Sequence, residues 1–292
     1  MFKLKSVLDF FIFSNIYVAI PVSALSHSTF LILGSTTNVS TLFFTYFSTL
    51  FLYNFHRIYG VFTSSNEVRF IPQRIIWSVK HKNLVCLLSL FSAIVAGYFL
   101  LEIYRSIYWI LLPCFIISLA YTLPIVPLKN GMKKLREIPL IKPIVIAFIA
   151  TIVTVIFPFL TSNYSSMITS DYDIWFLYIE RFLFLLAITI PFDIRDVKFD
   201  AADNTKTLPL IVGVNIMKRL SFLSLIFFAI IVGIHSVISP NYQSNMVLAY
   251  LFSFVFTGVI LFFVNQDRSE YFFSLLVEGT MIVQWVGLSL SS

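Results

Sequence analysis

Residues 174–200 read "IWFLYIERFLFLLAITIPFDIRDVKFD". The apolar run is interrupted only by Glu180 and Arg181, and it stops at three carboxylates, Asp193, Asp196 and Asp200. A bilayer core of about 30 Å takes about 20 helical residues to cross. Only helices and closed barrels satisfy their backbone polar groups in lipid, and this run is continuous rather than alternating, so it reads as a membrane-crossing helix.

The rest of the chain repeats that pattern. Its 292 residues are 59% hydrophobic and 12% charged, with 33 Phe and 14 Tyr, and the mean hydropathy is +0.91. Such a composition excludes a water-soluble domain. Candidate spans fall at about 10–33, 39–55, 84–102, 107–125, 143–160, 174–192, 220–238, 246–264 and 271–290. The expected fold class is therefore all-α: a polytopic membrane bundle of about nine transmembrane helices, one domain over residues 1–292. The basic start "MFKLKSVLDFF" runs straight into a long apolar stretch and fits a first span better than a cleaved signal peptide.

Charge distribution supplies an orientation. Of the 20 Lys and Arg, 18 lie in the N-terminus and in the 56–83, 126–142, 193–219 and 265–270 connections, which fall on one side. The positive-inside rule places that side and the N-terminus in the cytoplasm and the C-terminus outside. A multi-pass protein of the inner (plasma) membrane of a bacterium is expected. Membrane topology accounts for the net charge of +6 without nucleic acid. Cys86 and Cys114 sit inside apolar stretches without metal-type spacing and read as packing residues.

Asp193, Asp196 and Asp200 are spaced i, i+3, i+7, one stripe of a helix. Three anions on one stripe repel each other unless a cation joins them. Mg²⁺ prefers oxygen ligands and is typically bound through one or two carboxylates plus substrate phosphates. Carboxylates at a membrane surface thus point to a metal-bridged phosphate or diphosphate on a lipid whose tail lies among the helices. The plainer alternative is a solvated helix end with Arg195 and Lys198 as counter-charges.

The stretch "DIRDVKFDAADNTKTLPLIVG", residues 193–213, resembles the second aspartate-rich motif of the UbiA superfamily of intramembrane prenyltransferases. The segment "YTLPIVPLKN", Tyr121 to Asn130, is similar to that family's Tyr-Ser/Thr-x-Pro-Pro-x-x-Leu-Lys stretch. The resemblance implies a bundle around a central cavity, with a prenyl diphosphate held through Mg²⁺ by two aspartate-rich motifs. Ionisation of the diphosphate then yields a carbocation that alkylates a hydrophobic, often aromatic, acceptor. On this chain it implies Asp193, Asp196 and Asp200 as metal ligands, Lys206 as a phosphate contact, and Tyr121 and Lys129 as substrate-positioning groups.

The other half of the pattern departs from the family. Its first motif, Asn-Asp-x-x-Asp-x-x-x-Asp, aligns with "YNFHRIYGVF" at Asn54, and Phe55, Ile58 and Phe62 stand where carboxylates belong. The local chemistry is basic instead, with His56, Arg57, Arg69 and Arg74. Three readings stay open: a prenyltransferase with one metal set held by the second motif, in which Arg57 or His56, beside Asn54, contacts phosphate directly; a cyclase acting on a polyprene without an acceptor; or a non-catalytic relative that binds a lipid or a partner protein. Arg57 also reads as a membrane anchor and His56 as a helix-end cap. In the sixth run, Glu180 and Arg181 point about 100° apart on a helix, and Arg181 is expected to snorkel to the outer surface. Interhelical hydrogen bonds are expected for His235 and Glu278.

Overall fold

A computed structural model describes residues 2–63, 71–103, 105–128, 131–138, 141–162, 171–202, 207–239, 242 and 244–291. In chain order the helices are α1 (Phe2–Phe13), α2 (Ile16–Ile32), α3 (Val39–Thr63), α4 (Gln73–Lys80), α5 (Lys82–Leu101), α6 (Tyr108–Thr122), α7 (Ile141–Thr151), α8 (Phe157–Thr161), α9 (Asp171–Ala202), α10 (Leu208–Val212), α11 (Val214–Ile238), α12 (Ser244–Phe262) and α13 (Gly279–Ser291). π turns at Ile152–Ile156 and Phe272–Val277 join α7 to α8 and lead into α13. Within the "YTLPIVPLKN" segment, β1 (Val126–Leu128) pairs antiparallel with β2 (Gly131–Lys133), which follows the segment, and Val126 faces Lys133.

Six of these helical stretches are long and apolar enough to cross a membrane, and the chain is a multi-pass integral membrane protein. A seventh crossing is counted if α1 and α2, bent by 58° at their junction, form one span. Among the described residues the expected count of nine spans is therefore not reached: α6, with 15 residues, is short for a crossing, and α3 is less apolar than the six. The bend between α1 and α2 is built on Asn15, whose φ of 63° is left-handed. Asparagine tolerates that conformation better than most residues. Its side chain donates to Asn54 Oδ1 at 2.8 Å, which ties the bend to α3.

Two connections expected to be long loops are largely helical. α3 runs on through His56 and Arg57 to Thr63, and α9 does not stop at Pro191 but continues to Ala202. The reason at Pro191 is local. A proline inside a helix removes one N–H and frees the carbonyl four residues before it, here that of Ala187. The Ser221 hydroxyl on α11 donates to that oxygen at 2.5 Å. One turn earlier, Ser224 donates to the Leu183 carbonyl at 2.8 Å. In lipid such a replacement donor is what allows a proline to be carried through a helix. Ser221→Ala is expected to leave a buried carbonyl unsatisfied and cost about 1–3 kcal/mol. A lowered thermal midpoint in detergent, absent in Ser221→Thr, would check it; no shift for either variant would refute it.

The helices close into a ring. α2 packs on the π turn after α7, α7 on α9, α9 on α11, α11 on α12, α12 on α13, and α13 returns to α2, while α3 packs on α2 and α5 on α3. Buried Leu25, Ala147, Phe184, Phe228, Leu261 and Met281 belong to the main apolar core that joins these helices. At Gly287 a Cβ would come within 3.2 Å of the Ala249 Cβ, so glycine lets α12 and α13 approach closely. α9 has 32 residues, about 48 Å of helix at 1.5 Å per residue. Its two ends therefore reach opposite edges of a bilayer, and each end carries charge.

Candidate functional site

At the Asp193–Asp200 end of α9, side chains from four separated parts of the chain meet. Asp193 is 3% exposed, and its Oδ1 lies 2.6 Å from Lys142 Nζ at the start of α7. The same ammonium is 3.9 Å from Asp196 Oδ2. Asp196 Oδ1 accepts from Arg74 Nη2 on α4 and from Arg195 Nε, both at 2.8 Å. Arg74 Nη1 in turn donates to both carboxylate oxygens of Glu270, at 2.7 and 2.8 Å, and Arg195 Nη1 is 3.7 Å from Glu270 Oε2. The Arg195 guanidinium also lies over the Phe192 and Phe273 rings, 4.9 and 5.8 Å from their centroids. Three cations and three carboxylates thus form one compact, charge-balanced cluster.

This arrangement changes the reading of the aspartate stripe. Asp193 and Asp196 do not stand as unpaired anions; basic groups brought in by α4 and α7 already offset them. Of the two counter-charges expected locally, Arg195 acts so, but Lys198 turns away to Asp267 at 2.6 Å in an exposed pair. Asp200, 9% exposed, is different: it makes no ion pair with a cation among the described residues, and its buried Oδ2 has only the Thr207 side chain near it without a well-formed hydrogen bond. Glu270 was not singled out in the sequence, Lys142 read there only as a loop cation, and Arg74 entered only as part of the basic stretch that replaces the first motif. The available signals were an acid just before the last apolar run and a lysine directly before Pro143, where the fifth run begins.

The groups near the degenerate first motif serve packing and caps. Asn54, fully buried, accepts from Asn15, while its own Nδ2 has no partner among the described residues. Arg57 Nη1 donates to the Phe13 carbonyl at 2.5 Å, the last residue of α1. A cation satisfying the free carbonyl of a helix C-terminus is a favourable cap. Arg57 nonetheless stays within electrostatic reach of Arg74, Arg195 and Glu270. His56 does not cap its helix end; its Nδ1 pairs with the Thr122 hydroxyl on α6, and its ring lies 5.4 Å from that of Tyr121. Tyr121 is within electrostatic reach of Lys142 and Asp193, so the structure brings it to the cluster. Lys129, Lys206 and Asp203 lie outside the described residues.

At the far end of α9 the charged side chains are buried within the protein. Arg181, 2% exposed, does not snorkel: it donates to the Ser28 hydroxyl at 2.8 Å and the Leu25 carbonyl at 3.3 Å on α2. At membrane depth internal partners replace the water that an extended side chain would otherwise have to reach. Glu180 Oε1 pairs with His235 Nδ1 at 2.8 Å, and His235 Nε2 with Asp173 at 3.2 Å. Tyr242 donates to Glu180 Oε2 at 3.3 Å. The interhelical bond expected of His235 is present; Glu278 is buried near Arg57 and Arg195.

A membrane bundle with a mixed-charge cluster at one end of its helices defines the class: a polytopic membrane protein whose ionised groups gather where its helices end. Among solved structures, the chain is similar to a UbiA homologue from Archaeoglobus fulgidus bound to GPP and Mg²⁺, at 13% identity over 97% of each chain and a TM-score of 0.65. It is also similar to the same organism's UbiA homologue bound to DMAPP and Mg²⁺, at 13% identity, 97% of this chain and 99% of that one, and a TM-score of 0.59. A digeranylgeranylglyceryl phosphate synthase structure matches at 16% identity, 100% and 99% coverage and a TM-score of 0.59. No protein-family model and no curated protein sequence matches the chain. The likeness establishes the fold: this chain is a UbiA-type membrane bundle.

Proposed function

We propose that the chain is an intramembrane prenyltransferase that binds a prenyl diphosphate at the Asp193–Asp200 end of α9 and moves the prenyl group to a hydrophobic acceptor. The observation that carries this reading is the cluster of Arg74, Lys142 and Arg195 with Asp193, Asp196 and Glu270, set where membrane-crossing helices end. Guanidinium forks match phosphate oxygens, and shared carboxylates hold Arg74 and Arg195 in place. The positive-inside pattern assigns this end to the cytoplasmic face.

The donor set at this end takes Mg²⁺ unevenly. Asp193 and Asp196 are already matched by cations, whereas Asp200, in no ion pair among the described residues, fits an ion completed by phosphate oxygens. Mg²⁺ bound there would add positive charge against the departing diphosphate. The remaining work belongs to the chain. Arg74, Lys142 and Arg195 take up charge as the allylic C–O bond breaks and its electron pair leaves with the diphosphate. Asp193, Asp196 and Glu270 orient those cations. Phe192 and Phe273 hold the Arg195 guanidinium against their rings, and exclusion of water by the apolar interior would protect an allylic cation until the acceptor attacks. Tyr121, Lys129 and Lys206 are assigned to positioning the diphosphate, and Arg57 to holding the α1 end next to it.

Titration of purified protein with geranyl diphosphate, with and without Mg²⁺, tests the reading. Binding that Mg²⁺ strengthens is expected, and Asp200→Asn should weaken it by about 10- to 100-fold, the equivalent of losing one charged contact. Failure to bind under either condition would end the enzyme assignment. A second reading, a non-catalytic lipid- or partner-binding protein, is favoured by Asn54 and Arg57 being committed to the α1–α2 bend in place of a first acidic motif. Labelled prenyl diphosphates offered to membranes with a panel of lipid and aromatic acceptors separate the two. A cyclase would release diphosphate with no acceptor, and a binder would release none.

A further inference from the structure

Lys142 occupies an unusual place for a lysine: its ammonium sits between two carboxylates of the aspartate stripe, 2.6 Å from Asp193 Oδ1 and 3.9 Å from Asp196 Oδ2. We propose that Lys142 is a built-in cation standing where a metal ion would bridge Asp193 and Asp196, so that this protein holds its diphosphate with one divalent ion fewer than a lysine-free aspartate stripe would need. The inference rests on the reading of this end as a diphosphate site.

The charge arithmetic supports it. Around Asp193, Asp196 and Glu270 stand Lys142, Arg74 and Arg195, three against three, in surroundings where every one of these side chains is less than one-fifth exposed. A divalent ion added between Asp193 and Asp196 would either expel the ammonium or leave two uncompensated positive charges in a partly buried cluster, which is costly. Both oxygens of Asp196 already accept, Oδ1 from Arg74 and Arg195 and Oδ2 from Arg195 at 3.3 Å. The position of Lys142 is also fixed by the fold: α7 packs along α9, and Lys142 is its second residue, directly before Pro143. Asp200, by contrast, makes no ion pair with a cation among the described residues. Lysine is a compact point charge with three donors, and here it supplies one positive charge that needs no metal concentration to be present.

Counting bound Mn²⁺ by electron paramagnetic resonance, on purified full-length protein with inorganic diphosphate, tests this. Lys142→Met is expected to bind one more Mn²⁺ than the wild type, and the double variant Lys142→Met/Asp193→Asn is expected to lose that extra ion. Equal counts in wild type and Lys142→Met would overturn the proposal. Should Lys142→Met not remain folded, Asp193→Asn in the wild-type background serves: its Mn²⁺ count is expected to stay unchanged, and loss of an ion there would overturn the proposal. With geranyl diphosphate as the probe, the apparent order in Mg²⁺ should rise from about one in wild type to about two in Lys142→Met; no rise overturns the inference. Absence of any geranyl diphosphate binding, with the Mn²⁺ counts as expected, instead sinks the prenyltransferase reading and leaves the role of Lys142 standing.

Discussion

Asp196→Asn lowers the stability of the protein by about 3 kcal/mol, the scale on which removing one partner of a buried ion pair acts. Asn keeps the shape but not the charge, so Arg74 and Arg195, 13% and 16% exposed as side chains, lose the anion they share. Asp193 and Glu270 then face three cations. Thermal unfolding in detergent measures the effect, with Lys198→Ala as the control: that lysine's pair with Asp267 is 46% and 67% exposed and should matter by less than about 1 kcal/mol. Adding Arg74→Gln to Asp196→Asn should recover part of the loss, because the partners are coupled. Strict additivity of the two substitutions would mean that the cluster does not act as a unit. Diphosphate binding should fall along with stability, since the same carboxylate orients the two guanidinium groups.

His235→Ala has a comparable effect at the opposite end of α9, about 3–5 kcal/mol on the same scale. The imidazole is 2% exposed and bridges Glu180 and Asp173 across α9 and α11. It is also stacked on Phe176, with ring centroids 4.9 Å apart, and lies against Tyr242. Its removal leaves two carboxylates without their common partner and opens a void in an aromatic packet. Glu180→Gln in the His235→Ala background should restore part of the stability by taking away one orphaned charge. If both single variants melt at the wild-type temperature, the network carries no stability. Prenyl diphosphate binding, about the length of a membrane crossing away, should be affected far less than by Asp196→Asn.

Much of the architecture was legible because the rule behind it is one-dimensional. A lipid environment demands long apolar helices, so the runs around 84–102, 143–160, 220–238, 246–264 and 271–290 in the sequence mark the crossing helices to within a few residues. Boundaries failed where a tertiary partner changed the local rule. The sixth run was expected to give way to a connection at 193, but Ser221, thirty residues beyond Pro191, takes over the carbonyl freed there and lets α9 run on to Ala202. Arg181 should have reached for water, but Ser28 and Leu25 on α2 offered closer oxygens.

The candidate site divides the same way. The sequence by itself determined that three carboxylates, spaced along one helical stripe, lie at the end of a membrane helix, and that the acids expected at Phe55, Ile58 and Phe62 are missing. Only the tertiary structure decided what those carboxylates face. Arg74 and Asp196 are 122 residues apart, and so are separated by several membrane crossings before they meet at 2.8 Å. Lys142 and Glu270 likewise look like ordinary loop charges until α7 and the last helix pack beside α9. Helical spacing is written in neighbouring residues, whereas ion pairing depends on which helix ends converge, and that is set by packing of the whole ring.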